Sequence, residues 1–451
     1  MINIASENRI TVIDSPVGSG KTTWAINHIN SLPYDTRIIY ITPFLKEVTR
    51  VITSCPTRHF VEPEYSGGEG SKMVHFIKLI SEGKNVVSTH ALFSAIDNRV
   101  IDALKLNDYV FILDEVMNTV DTFDIFEDEL PKKKKKDDDA LKEETEKKTI
   151  EEIKGFITKG ILKVDKETNV VTWEDRVTPF YKYERLKKTA DNGLLYFING
   201  TLLIWTFPIQ VFQEGIFSKI YVLTYLFDYQ IQSSYYKFYN LDYDIYHIET
   251  INNQYEVVKT IDQNYDIEWK KKIKPLITIC DNEKLNRIGS IYLDERNHPY
   301  KSALSNGWYE RNNESGVSNK LGLNAINFFM HITKTKSSQR MWTTFKDCIP
   351  FVKNKNLTKP QWIEMTSRST NLFKNKIALA YLVNRYPQPY FEDFFETRNV
   401  PINQDHFAIS EMIQWVFRSA IRDQKPIDIY VPSERMRTLF IKWLNGKEPS
   451  F

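Results

Sequence analysis

The stretch RITVIDSPVGSGKTTWAINHIN, residues 9–30, constrains the fold more than any other part of the chain. An apolar, β-prone run from Ile10 to Ile13 enters a loop of small residues, and a helix-compatible segment leaves it. Gly18 and Gly20 stand where a backbone must bend tightly and expose its N–H groups. The pattern is a phosphate-binding loop, G-x-x-x-x-G-K-[ST], with the small residue Ser15 in place of the first glycine. Ser15, Gly18, Ser19, Gly20, Lys21, Thr22 and Thr23 are its phosphate-contact candidates. Lys21 is expected to reach the β- and γ-phosphates, and the Thr22 hydroxyl to complete the shell of a Mg²⁺.

A second element supports this reading over an ordinary strand–turn–helix. At 109–116, YVFILDEV is an apolar run ending in two adjacent carboxylates, Asp114 and Glu115. A parallel strand would deliver them beside the loop, Asp114 to hold Mg²⁺ through water and Glu115 to polarise an attacking water. Residues 37–52 read as a strand, a Thr42-Pro43 turn and a helix; 73–81 read as a helix, and 85–96 as a strand running into a helix. This order predicts a parallel sheet with helices on both faces and ligands at the strands' carboxyl ends.

Further along, a block of five lysines followed by three aspartates at 132–139, within 127–150, cannot bury apolar surface and marks a surface insertion. Apolar strands return at 194–228, where IYVLTYLF completes the first sheet near Thr224, and the tyrosine-rich 235–269 reads as strands of a connector. A second α/β series starts near Lys274. It predicts a strand in WIEMTSRSTN, 362–371, a helix in KIALAYLVNRY, 376–386, a strand at 427–431 and a terminal helix. Gln414, Arg418 and Arg422 are spaced by four, so they share one face of a predicted helix aimed into a cleft. The resulting division is 1–126 with 191–228, an insertion at 127–190, a connector at 229–273, and a second domain at 274–451.

A chain of 451 residues suits two or three domains. It holds no apolar run of about 18 residues and no basic–apolar leader, so a cytoplasmic protein with no membrane partner is expected. Cys55, Cys280 and Cys348 are far apart and imply neither disulfides nor a structural zinc. Residues 1–130 carry 11 Lys and Arg against 18 Asp and Glu, whereas 331–451 carry 19 against 11. The basic C-terminal part suits a polyanion, because neutralising phosphates releases counterions.

Taken together, these motifs resemble the superfamily 2 helicases, nucleic-acid-dependent ATPases of two RecA-like domains. SPVGSGKT looks like motif I, YITPFLKEV like Ia, STHALF like Ib, LDEV like II, LTYLF at 223–227 stands where III belongs, MTSRSTN looks like V and QWVFRSAIR like VI. The likeness is greatest to divergent DEAD/DEAH-like helicases of bacteriophages and integrated elements. It implies ATP and Mg²⁺ as cofactors and single-stranded or forked DNA as partner, in phage DNA replication or recombination with replication proteins, in the host cytoplasm. It also implies a catalytic set of Lys21, Glu115, Gln414 and an arginine finger at Arg418 or Arg422. Thr42, Ser88, Thr89, His90, Arg368 and Thr370 would contact nucleic acid, and Thr224 would couple it to ATP. The chain departs from the family pattern at Met117, which replaces a polar link to motif III, in the spacing of motif VI, and in lacking a glutamine motif before the loop. Two other readings stand beside it: a nucleotide-gated loading or remodelling ATPase without unwinding, and a terminase-like packaging motor, which the scarcity of acids in 331–451 disfavours.

Overall fold

A computed structural model describes residues 8–65, 71–126, 139–262, 264–290, 302–312, 314–365 and 371–450. Four strands open the chain: β1 (Ile10–Asp14), β2 (Arg37–Thr42), β3 (Val86–Thr89) and β4 (Tyr109–Asp114). Their side chains are buried almost throughout, which is why they read as continuous apolar runs and not as alternating ones. The helices α1 (Lys21–Ser31) and α2 (Leu45–Ser54) follow β1 and β2.

The chain then builds a smaller unit. It contains β5 (Val120–Thr122), a helix at Asp139–Thr158, the antiparallel pair β6 (Leu162–Val164) and β7 (Val171–Trp173), a helix at Glu184–Asp191, and the pair β8 (Leu195–Ile198) and β9 (Thr201–Trp205). β5, β9 and β8 form a three-stranded sheet of their own, and Phe123, Leu162, Trp173, Leu186 and Leu202 belong to one local core.

β10 (Lys219–Thr224), β11 (Tyr243–Ile251) and β12 (Gln254–Lys259) return to the first sheet, whose order is β12-β11-β1-β10-β4-β2-β3. All its pairs are parallel except β11 with β12. β10 therefore separates the strand that feeds the phosphate loop from the strand that ends in Asp114. Two strand spacings, about 10 Å, open a gap for a ligand between them.

Two expectations change here. Residues 195–205 pair with β5 and stay outside the first sheet, and the tyrosine-rich stretch expected as a connector supplies two strands of that sheet. Its first part, Ile231–Phe238, is helical, with Tyr235 and Tyr236 buried.

The second sheet is parallel throughout: β13 (Ile277–Ile279), β14 (Arg340–Thr343), β15 (Ala378–Tyr381) and β16 (Ile427–Tyr430), in the order β13-β16-β15-β14. Residues 376–386, expected as a helix, contain β15 instead. Their Ala- and Leu-rich composition favours a helix, but a strand buried on both faces loses the alternation that would identify it. Residues 362–371 yield no named strand among those described, only a bridge from Trp362 to Trp342. The helix that carries Gln414 spans Gln404–Val416 and stops there. The Ser419 hydroxyl donates to the Val416 carbonyl (2.7 Å), and the Ala420 N–H pairs with the Lys376 carbonyl (2.9 Å). Arg418 thus lies past the helix and Arg422 in a 3₁₀ turn, so the expected common helical face does not exist. The fold is two RecA-like α/β domains with an accessory unit set into the first. Among the described residues no helix is long and apolar enough to cross a membrane.

A polar seam joins the domains. Buried Asp14 accepts the N–H groups of Leu226 and Phe227 (both 2.8 Å) and the hydroxyl of Tyr265 (2.9 Å). Next to it, the Tyr225 hydroxyl donates to Asp266 (2.5 Å), which pairs with Lys270 (3.0 Å), while the Tyr225 ring belongs to the core of the second domain. Burial pushes the Asp14 carboxyl up to about 6 against the pull of its three donors. Asp14→Ala leaves those donors unanswered, and urea denaturation should show a loss of about 2–4 kcal/mol. Because its folded pKa is raised, Asp14 favours folding fully below about pH 4, and that contribution is lost as pH rises through about 6. Asp14→Asn should remove this part of the stability–pH slope.

Candidate nucleotide-binding site

The loop from Ser15 to Gly20 connects β1 to α1. Gly18 and Gly20 adopt φ of +85° and +93°, which glycine reaches without a Cβ penalty and which lets the loop turn tightly into α1. A Cβ at Gly20 would also lie 2.5 Å from the ring of Tyr255, so a side chain there would require that ring to move. Ser15 has a role that glycine lacks. Its hydroxyl accepts the Ile248 N–H of β11 (2.6 Å), while its own N–H donates to the Thr224 carbonyl (2.9 Å). Buried Lys21 donates to the carbonyls of Ser15 (2.6 Å) and Pro16 (3.1 Å). Burial lowers its pKa, and the charges of Glu115, Asp14 and Asp114 resist that shift.

At the end of β4, Asp114 Oδ2 accepts the hydroxyls of Tyr40 (2.9 Å) and Thr22 (3.2 Å). Burial and the adjacent Glu115 raise the Asp114 pKa to about 7, and the bond from Tyr40 opposes them. Glu115 itself sits at φ +64°, and its N–H is tied to the Leu223 carbonyl (2.8 Å). Such a backbone costs a non-glycine residue about 1–3 kcal/mol and persists where the surroundings enforce it. Thr22 and Asp114 fit a magnesium ion that keeps water and phosphate oxygens as its other ligands.

The second domain supplies the facing wall. Gln414, Phe417, Arg418 and Arg422 stand across a cleft of about 240 Å³ from Lys21, Thr22, Asp114 and Glu115, and Gly18, Gly20, Thr23 and Thr42 line it as well. Arg418, 2% exposed, donates to the carbonyls of Glu364 (2.8 Å) and Met365 (3.0 Å). Arg422 is half-buried and near enough to Lys21 to depress its pKa, and among the described residues no protein group binds its guanidinium. Ser15 and Ser19 are not among the residues that line the cleft: the Ser15 hydroxyl is engaged by Ile248, and the Ser19 hydroxyl is buried without a partner among the described residues.

Not every candidate reaches a surface. The side chains of Thr42 and Ser88 are 0% and 4% exposed, and Thr42 lines the nucleotide cleft, so neither presents its side chain to the outer surface. Thr89 and His90 are half-buried, and His90 Nε2 lies 3.1 Å from the Asp114 carbonyl. Arg368 and Thr370 lie outside the described residues. Thr224 is buried, and its hydroxyl donates to Gln230 Oε1 (3.2 Å). Gln230 in turn lines a second cavity between the domains, about 390 Å³, with His90, Gln232, Arg385, Glu411 and Gln414. The Met117 side chain packs in the core, and its N–H donates to Gln232 Oε1 (2.9 Å), on the helix that follows the Thr224 segment. The sequence reading missed Asp14, Tyr40, Gln230, Gln232 and Tyr255. Only Asp14, next to the loop, carried a positional signal.

Residues 271–444 match the family described as the YonV C-terminal Rossmann-like domain. The chain is 34% identical over 448 residues to the SPbeta prophage-derived uncharacterized protein YonV of Bacillus subtilis (strain 168), covering 97% of this chain and 99% of that one. Among solved structures, S. tokodaii Xpd4 superimposes with a TM-score of 0.46 and 11% identity over 98% of this chain and 95% of that one. The DUF1998 helicase MrfA bound to DNA and AMPPNP superimposes with a TM-score of 0.35 and 10% identity over 98% of this chain and 49% of that one.

A metal ligand must be deprotonated, so Mg²⁺ affinity in the presence of nucleotide should rise with pH up to about 7, by at most tenfold per unit, and then level off. Tyr40→Phe removes a bond that favours the ionised carboxylate, and should move this profile to higher pH. Calorimetric titration across pH 6–8, with proton release read from buffers of different ionisation enthalpy, checks both.

Proposed function

The chain belongs to the YonV family, and we propose that it is an ATP-dependent nucleic-acid motor of the superfamily 2 helicase type, acting in phage DNA replication or recombination. One observation carries this reading: the phosphate loop, the Asp114–Glu115 pair and Arg422 line a single cleft between two RecA-like domains. In this reading the loop N–H groups and Lys21 hold the phosphates, and Thr22 and Asp114 would hold a Mg²⁺ that would supply charge neutralisation. Glu115 orients the attacking water and accepts its proton. Arg422 stabilises charge on the transferred phosphoryl group, because it lines the cleft and among the described residues no protein group binds its guanidinium. Arg418 acts as a positioning residue that braces the chain at Glu364 and Met365, ahead of the candidate contacts Arg368 and Thr370.

Since fast hydrolysis needs groups from both domains, it needs a closed cleft. A single strand lying across both domains, near Thr89 and His90 on one and Arg368 and Thr370 on the other, would favour closure, and ATP would strengthen strand binding by the same factor. The Thr224–Gln230 bond and the Gln232–Met117 bond offer a route from the nucleotide cleft to the second cavity.

ATP hydrolysis measured with and without single-stranded and forked DNA at fixed salt tests the proposal. Turnover should rise with DNA and vanish in Lys21→Ala and Glu115→Gln. Arg422→Ala should lower kcat by about 10³-fold with nucleotide affinity nearly kept, whereas Arg418→Ala should lower thermal stability as well. Hydrolysis indifferent to any DNA or RNA would overturn the motor and favour an ATPase that remodels a protein partner.

A further inference from the structure

The cleft accounts for phosphates and metal but not for a base. At about 240 Å³ it falls below the roughly 300–1,000 Å³ of sites that enclose a whole ligand. A nucleoside triphosphate seated in the loop therefore leaves its base at the rim. The described residues just before β1 do not reach that rim: the Arg9 guanidinium donates to the carbonyls of Phe212 and Gln213, and the Asn8 N–H donates to Asp244.

The rim holds a ring instead. Tyr255, on the antiparallel strand β12, is 38% exposed, lines the cleft and lies against Gly20 so closely that a Cβ there would strike it at 2.5 Å. Its position relative to the phosphates is fixed twice over. The hairpin pairs with β1 through β11, and the Ser15 hydroxyl ties the loop to Ile248 of the same hairpin. We propose that Tyr255 is the platform on which the base of the bound nucleotide stacks, and that the site takes purine and pyrimidine nucleoside triphosphates with little discrimination. Every base has a π-face, and stacking reads none of its edge groups. Arg50, which also lines the cleft, is already engaged by Glu47 (3.2 Å) and Thr23 (3.3 Å).

The inference rests on the nucleotide-site reading above, so its test separates the two. Binding of ATP, GTP, CTP, UTP and, as a baseless probe, inorganic tripolyphosphate is measured by calorimetry on the full chain with Mg²⁺. Wild type should bind all four nucleotides within about tenfold of one another and tripolyphosphate more weakly. Tyr255→Ala should weaken every nucleotide by about five- to hundredfold and leave tripolyphosphate unchanged; Tyr255→Phe should match wild type. Lys21-dependent binding with ATP unaffected by Tyr255→Ala would overturn this inference alone. So would an equal loss for tripolyphosphate, or an ATP preference above a hundredfold. If neither nucleotides nor tripolyphosphate bind in a Lys21-dependent way, both readings fall.

Discussion

The bonds that converge on the Asp14 carboxylate hold together three parts of the molecule that the sequence keeps far apart. Asp14 ends the strand that feeds the phosphate loop, Leu226 and Phe227 begin the turn after β10, and Tyr265 lies on the approach to the second domain. Burying a carboxylate is costly, and its raised pKa measures that cost. Three well-placed donors offset it, and in doing so they fix the loop's position relative to both domains. The neighbouring Tyr225 extends the same seam, with its ring in the second domain's core and its hydroxyl on Asp266.

The two arginines on the facing wall illustrate how local structure divides labour that sequence leaves merged. Spacing alone makes Arg418 and Arg422 equivalent. In the fold the helix stops at Val416, Arg418 turns inward to two carbonyls, and Arg422 stays over the phosphate loop. The same contrast applies to Ser15 and Met117, both departures from their motifs. Ser15 gains an acceptor for a strand N–H, and Met117 gives up a side-chain link while its backbone N–H bonds Gln232 instead.

The loop, the Asp–Glu strand and the parallel order up to Glu115 were legible because each combines an apolar run with residues of special conformation or charge at its end. β15 was not, because ALAY buried on both faces has no period and a composition that favours a helix. The hairpin of β11 and β12 was misread as a connector for a different reason. Nothing local tells a tyrosine-rich strand which sheet it will join, and its partner β1 lies at the other end of the domain. Tyr255 carries no local signal on the same account, and motif position gives no sign that Thr42 and Ser88 are buried.

That long-range pairing also has a consequence for how the chain comes into being. β1 is flanked by β10 and β11, so Ile10 pairs with Ile220 on one side and Tyr243 on the other. On a ribosome adding about 5–20 residues per second, β1 waits roughly ten to forty seconds for its first neighbour. Throughout that interval both its edges are open to wrong partners, whereas β2, β3 and β4 can already pair among themselves. The strand that feeds the phosphate loop is therefore among the last of its sheet to be housed, and a nascent chain stalled within the accessory unit carries the complete phosphate-loop sequence with neither of the strands that flank β1.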